Sequence, residues 1–235
     1  MLNSVITIKV KERLNKLDSQ DYDNIECWQI VEAFNKAQVE WVRRQLHGTN
    51  LMKEGDEAST RRIDDLQLLL TTLPVKFSKM HKEIYYTGDL PENYLEWKRL
   101  DVYAISGCCN DKRRMTTYLA EVGNVNNLLR DVAKQPNFEW AETFCTLSNN
   151  TISVYADNKF EVQDVTFIYY RQPRKIEVEN CVDPYTGTAS TTNITCEFKD
   201  DIIEVLIDEA AAVIAGDIES GNQYSRESEN AERNN

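Results

Sequence analysis

The chain has 235 residues, of which 28% are charged and 41% hydrophobic, and carries a formal net charge of −12. That is enough chain for a true core in one or two domains. So acidic a balance argues against broad nucleic-acid binding, because phosphate affinity is assembled from clustered Lys and Arg. The opening Met1-Leu2-Asn3-Ser4-Val5-Ile6-Thr7 has no basic leader before an apolar core, so no signal peptide is expected and the cytoplasm is the expected site of synthesis.

Helical periodicity comes first. Val5, Ile6, Val10, Leu14 and Leu17 mark one face of a first helix, with Asn3 or Ser4 as its cap. Asp23 with Glu26 reads as a capping box opening a second helix. Its stripe is Ile25, Trp28, Val31, Phe34, Val42 and Leu46, with Trp41 beside it, and His47-Gly48 stops it. After a polar loop over 49–59, Ile63, Leu66, Leu69 and Leu70 predict a short third helix ending before Pro74.

The middle of the chain changes character. Short strands are predicted over 75–80 and 84–86, with Thr87-Gly88-Asp89 as a turn. A helical turn is expected at Leu90-Pro91-Glu92-Asn93-Tyr94 and a strand over 102–107. Residues 115–122 fit strand or helix, and Val125, Leu128 and Leu129 predict a short helix over 124–132. Strands follow at 144–147, 152–156 and 160–170, separated by Asn149-Asn150 and Asp157-Asn158 as turns, and form an antiparallel set. In the last of these Val165, Phe167 and Tyr169 share one face, and Pro173 ends it. The stretch 174–195 is irregular and rich in Thr and Asn.

From Asp200 to Ile218 runs a dense apolar segment including Ile202, Ile203, Leu206, Ile207, Ala211 and Ile214. Its apolar positions wrap most of a helical circumference, so the helix must be buried on several sides. Glu204, Asp208 and Glu209 interrupt it, and it is too short to span a bilayer. Trp28 and Phe34 are expected to pack on it around Ile207 and Ala211. The tail after Gly221 has Tyr224 and Ala231 as its only non-polar residues and cannot build a core alone. Extended, residues 221–235 reach about 50 Å. They form a candidate arm, with Tyr224 as its anchor and Arg226 pairing with an acidic partner.

No motif in the chain names a reaction. There is no phosphate-binding glycine loop, no His-Glu-x-x-His and no nucleophile elbow around Ser106-Gly107. Cys27, Cys108, Cys109, Cys145, Cys181 and Cys196 include no Cys-x-x-Cys, and His47 and His81 are the only histidines. Free thiols are therefore expected, with no metal and no cofactor. Asp18, Asp21 and Asp23 lack the glycine and glutamate of a calcium loop and read as caps. The basic clusters Lys112-Arg113-Arg114, Arg171 to Lys175, Arg43-Arg44 and Arg61-Arg62 read as solvated faces or as salt bridges to a neighbouring subunit.

The helical pair ending near Gly48, the Leu90-Pro91-Glu92-Asn93-Tyr94-Leu95 segment and Phe138-Glu139-Trp140 leading into strands make a recognisable layout. With Val165-Thr166-Phe167-Ile168-Tyr169-Tyr170-Arg171-Gln172-Pro173 and the closing helix with its Asn-rich arm, the chain resembles head-to-tail connector (adaptor or ring) proteins of tailed bacteriophages, most like those of crAss-like phages. The resemblance implies a non-enzymatic virion subunit of the neck or tail, in a ring of about twelve copies beneath the portal, with DNA only passing through the lumen. It also implies an arm that docks on the portal or an adjacent ring subunit.

The expected fold is α+β, a helical bundle with an inserted antiparallel β-rich domain. Its boundaries are 1–72 for the N-terminal helices, 73–198 for the insertion, 199–220 for the returning helix and 221–235 for the arm. The competing readings are another tail or neck structural protein, a small hydrolase built on scattered carboxylates, and a nucleic-acid binder using Arg171, Arg174 and Lys175.

Overall fold

The computed structural model describes residues 1–15, 25–47, 60–80, 85–106, 109–217 and 229. Helices and strands are mixed, and the chain divides into two compact units. One joins Met1–Leu68 to Pro173–Asn235, and the other is the continuous segment Leu69–Gln172.

The first unit contains α1 (Asn3–Asn15), α2 (Cys27–His47), α3 (Thr60–Leu66) and α5 (Asp200–Asp217). On α1, Ile6, Val10 and Leu14 recur every fourth residue and are almost wholly buried, as one face of a helix requires. Leu17 lies outside the described residues, and Val5 turns partly outward. α2 begins at Cys27, where the Glu26 N–H donates to Gln29 Oε1 at 2.9 Å. That is the returning half of a capping box, with Glu26 at the cap and Gln29 three residues on. The expected box put the cap at Asp23, outside the described residues.

α2 packs on α5, and so does α1. The inward stripe of α2 is Ile30, Phe34, Ala37, Trp41, Val42 and Leu46. Phe34 is fully buried, but Trp28 is not on that stripe, which corrects the expectation for Trp28. Two residues before Ile30, it points about 200° round the helix from the inward face. α5 is buried over most of its circumference, and Asp200 and Asp201 occupy its first turn, where negative charge meets the positive helix end.

The carboxylates that interrupt this apolar helix all meet cations from its neighbours. Lys9 of α1 pairs with Glu204, Arg13 Nε donates to Asp208 Oδ1 at 2.8 Å, and Arg44 Nη1 of α2 lies 2.9 Å from Glu209 Oε1. Arg44 therefore pairs inside its own unit. Asp208 and Glu209 are both buried, so each needs its cation.

The second unit is a sheet with α4 (Val125–Arg130) and a preceding 3-10 turn (Val122–Asn124). The strands are β1 (Leu70–Val75), β2 (Ser78–Met80), β3 (Tyr85–Asp89), β4 (Tyr94–Ser106), β5 (Cys109–Leu119), β6 (Glu142–Ser148), β7 (Thr151–Tyr155) and β8 (Glu161–Arg171). Their order is β1-β8-β4-β5-β6-β7-β3-β2. All neighbours are antiparallel except β5 and β6, which run parallel and are joined through α4. The three last strands are thus not one antiparallel set: β6 and β7 pair, while β8 inserts between β1 and β4.

Several local expectations change for identifiable reasons. Leu70 opens β1 instead of ending a helix, and Pro74 is tolerated because β1 is an edge strand. The Leu90–Tyr94 segment makes one turn, with the Tyr94 N–H donating to the Pro91 carbonyl, before β4 begins. Asn149 and Asn150, both at positive φ (47° and 61°), do form the β6–β7 hairpin turn.

Thr87-Gly88-Asp89 is not a turn but the end of β3. Gly88 is there for space. A β-carbon on it would sit 2.7 Å from Val75 Cγ1 and 2.8 Å from Phe77 Cε2. Gly88→Ala is therefore expected to cost about 1–3 kcal/mol by overpacking, read as a lower urea midpoint with an unchanged slope.

The sheet core includes Leu100, Val102, Met115, Ile152, Val165 and Phe167. Aromatic rings line up across it, Tyr85 to Tyr155 at 5.5 Å and Tyr155 to Phe144 at 4.7 Å between centroids. Burial pushes the Cys145 thiol up to about 12, and burial followed by nearby Glu96 pushes the Tyr94 hydroxyl up to about 12. Both shifts favour the neutral form in the folded state. Their stabilisation is complete below the ordinary values of 9.0 and 10.0 and is lost as pH rises toward 12. Urea midpoints are expected to fall steadily from about pH 9 upward.

Candidate functional site

Residues 173–198 belong to the helical unit, not to the β-rich one as the expected boundary at 198 had it. Side-chain amides tie them there. Asn35 of α2 accepts the Ile176 N–H at Oδ1 (2.8 Å) and donates from Nδ2 to the Ile176 carbonyl (3.3 Å). Asn3 of α1 donates to the carbonyls of Glu177 (2.8 Å) and Ile194 (2.9 Å). Glu177 and Ile194 exchange backbone hydrogen bonds with each other, closing the base of a strap. Chain without regular structure survives here because side-chain amides satisfy its backbone.

The strap and the first turns of α2 enclose an open groove of about 620 Å³. Trp28, Val31, Ile176, Val178 and Pro184 give it apolar walls, and Tyr185 stands at its mouth, 81% exposed. The Trp28 and Tyr185 rings meet edge to face with centroids 6.4 Å apart, while Trp28 Nε1 donates to Glu26. Glu177 and Asp183 on the rim are occupied, Glu177 by Thr192 and Asp183 by Thr186 and the Tyr185 N–H. Lys36 and Lys175, also on the rim, form no ion pair among the described residues. The groove thus sets an apolar wall around Trp28 beside the ammonium groups of two lysines.

One wall is covalent. Cys27, the first residue of α2, and Cys181 of the strap form a disulfide with 5.7 Å between Cα atoms. This corrects the expectation of free thiols throughout. The partners are 154 residues apart, so spacing rules built on neighbouring cysteines do not see them. Cys145 and Cys196 are free and buried. Burial raises the Cys196 thiol to about 11, so neither thiol is reactive at neutral pH.

Among the described residues no group of three or more His, Cys, Asp or Glu converges as a metal site, and no helix is long and apolar enough to cross a membrane. The basic run 112–114 is engaged within its own unit. Lys112 pairs with Asp164, Arg113 donates to the Phe138 and Glu139 carbonyls, and Arg114 lies 2.7 Å from Asp101. Tyr224 and Arg226, the predicted partner-binding residues, lie outside the described residues, as do His81 and Asp18, Asp21 and Asp23. The groove itself was missed by sequence reasoning. Trp28, which lines it, read from spacing alone as one more member of the inward stripe of α2. The sequence matches no protein-family model and no curated protein.

Proposed function

We propose that this chain is a structural subunit of a tailed-phage virion, one copy of a connector ring between portal and tail through which DNA passes. In this reading α1, α2 and α5 form a helical bundle, and the β-rich segment is a domain inserted into it. The observation that carries the reading is apolar surface left open in several places. Leu2 and Ile8 are each 65% exposed, Val132 is 73% exposed and Trp140 58%. Leu2, just before α1, and Val5 and Ile8 on it recur every third residue and form an outward stripe that a neighbouring subunit covers. The acidic composition supports the same reading, since a lumen that repels phosphate lets DNA slide. The arm beyond Gly221, with Tyr224 and Arg226, grips the portal or an adjacent ring subunit.

Native mass measurement on the full chain, alone and with a portal ring, tests this. A closed oligomer of about twelve copies is the expected result. A monomer under both conditions overturns it, as does DNA binding that weakens steeply with salt.

A further inference from the structure

The strap is fixed at its base but latched at its tip. Among the described residues, the hydrogen bonds of 178–192 stay within the strap: the Asn180 N–H donates to the Ser190 carbonyl, the Ser190 N–H to the Cys181 carbonyl and the Asp183 N–H to the Thr188 carbonyl. None of these reaches α2. Among the described residues, the Cys27–Cys181 disulfide and the ring contact of Trp28 with Tyr185 join the tip to that helix. Val182 is 52% exposed, so the tip buries little apolar surface on the helix. By contrast, Asn3 and Asn35 hold the base through hydrogen bonds on both sides of the tip.

We propose that the disulfide is a redox-operated latch, which holds the tip of the strap over the groove and releases it on reduction. Cys27 and Cys181 are partly exposed, so a small dithiol reaches the bond. One thiolate of the dithiol attacks a sulfur of the bond, which breaks as a mixed disulfide forms and the other cysteine leaves as a thiolate. The second thiol of the dithiol then displaces the remaining cysteine. Cys27 and Cys181 gain two electrons and two protons, and the dithiol is oxidised to its cyclic disulfide. The buried thiols of Cys145 and Cys196 do not compete, because burial disfavours their thiolates. With the bond open, one edge-to-face ring pair remains, too little to hold some fifteen residues in place. The latch stands whatever segment occupies the groove.

Chymotrypsin cleavage after Tyr185 reads the state of the tip, because a protease needs a locally mobile segment. In the air-oxidised full chain, Cys27 and Cys181 are expected to resist alkylation and nicking at Tyr185 to be slow. With excess dithiothreitol, nicking is expected to accelerate at least tenfold while the far-UV helical signal persists. The C27S/C181S double variant, and C181S alone, should nick at the fast rate with or without the dithiol. Three results would overturn the proposal: equal nicking in the two redox states, ready alkylation of both cysteines before reduction, or loss of the helical signal on reduction.

Discussion

Phe34→Ala is expected to lower the unfolding free energy by about 3–5 kcal/mol, the range for deleting a large ring from a close-packed core. Phe34 has no exposed surface and lies on the stripe that α2 presses against α5, an element buried on most sides. Such a site cannot collapse without moving a whole helix, so most of the cavity would persist. Trp28→Ala, although it deletes a larger ring, is expected to cost only about 1 kcal/mol, because Trp28 is half-buried on a groove wall. Urea titrations of the two variants check the pair. A larger loss for Trp28 than for Phe34 would reverse the assignment of the faces of α2.

Arg44→Ala is expected to cost about 3–5 kcal/mol, although Arg44 is itself partly exposed. The cost falls on Glu209, only 5% exposed, whose carboxylate then keeps its desolvation but loses the guanidinium 2.9 Å away. Replacing both partners by leucine should recover most of the loss or exceed the parent, because an apolar pair of similar volume has no charge to desolvate. A double-mutant cycle measures this, and additive losses in the double variant would mean that the two side chains are not coupled.

What sequence made legible follows from the range of the interactions involved. The inward face of α1 and the apolar circumference of α5 are set by spacing within one helix, and Ile6, Val10, Leu14 and Ile203 lie where periodicity puts them. The Asn149-Asn150 turn was equally plain, because positive φ is a local property of those two residues. The faces of α2 were only half legible. Trp28 is as apolar as Phe34, and nothing near it in sequence says which side meets α5. Pro74 misled for a related reason, since the edge position that excuses a proline is known only once the sheet is assembled. The groove depended on pairs far apart in the chain, Asn3 with Glu177, Asn35 with Ile176 and Cys27 with Cys181. No periodicity encodes such pairs.

The interleaving of the two units along the chain sets an order of events during synthesis. Residues 69–172 are contiguous, so every strand of the sheet has been made before α5 exists. The sheet nevertheless waits for its last strand, because β8 must enter between β1 and β4, the oldest strand and one of the longest. The helical unit waits longer still. Until residues 200–217 leave the ribosome, α1 and α2 hold out their inward faces with no α5 to receive them. At the typical elongation rate of about 5–20 residues per second, the gap between β8 and the end of α5 lasts a few seconds. During that interval a finished sheet hangs from an unfinished pair of helices, and in a cell crowded with nascent copies that pair is where misassembly would begin.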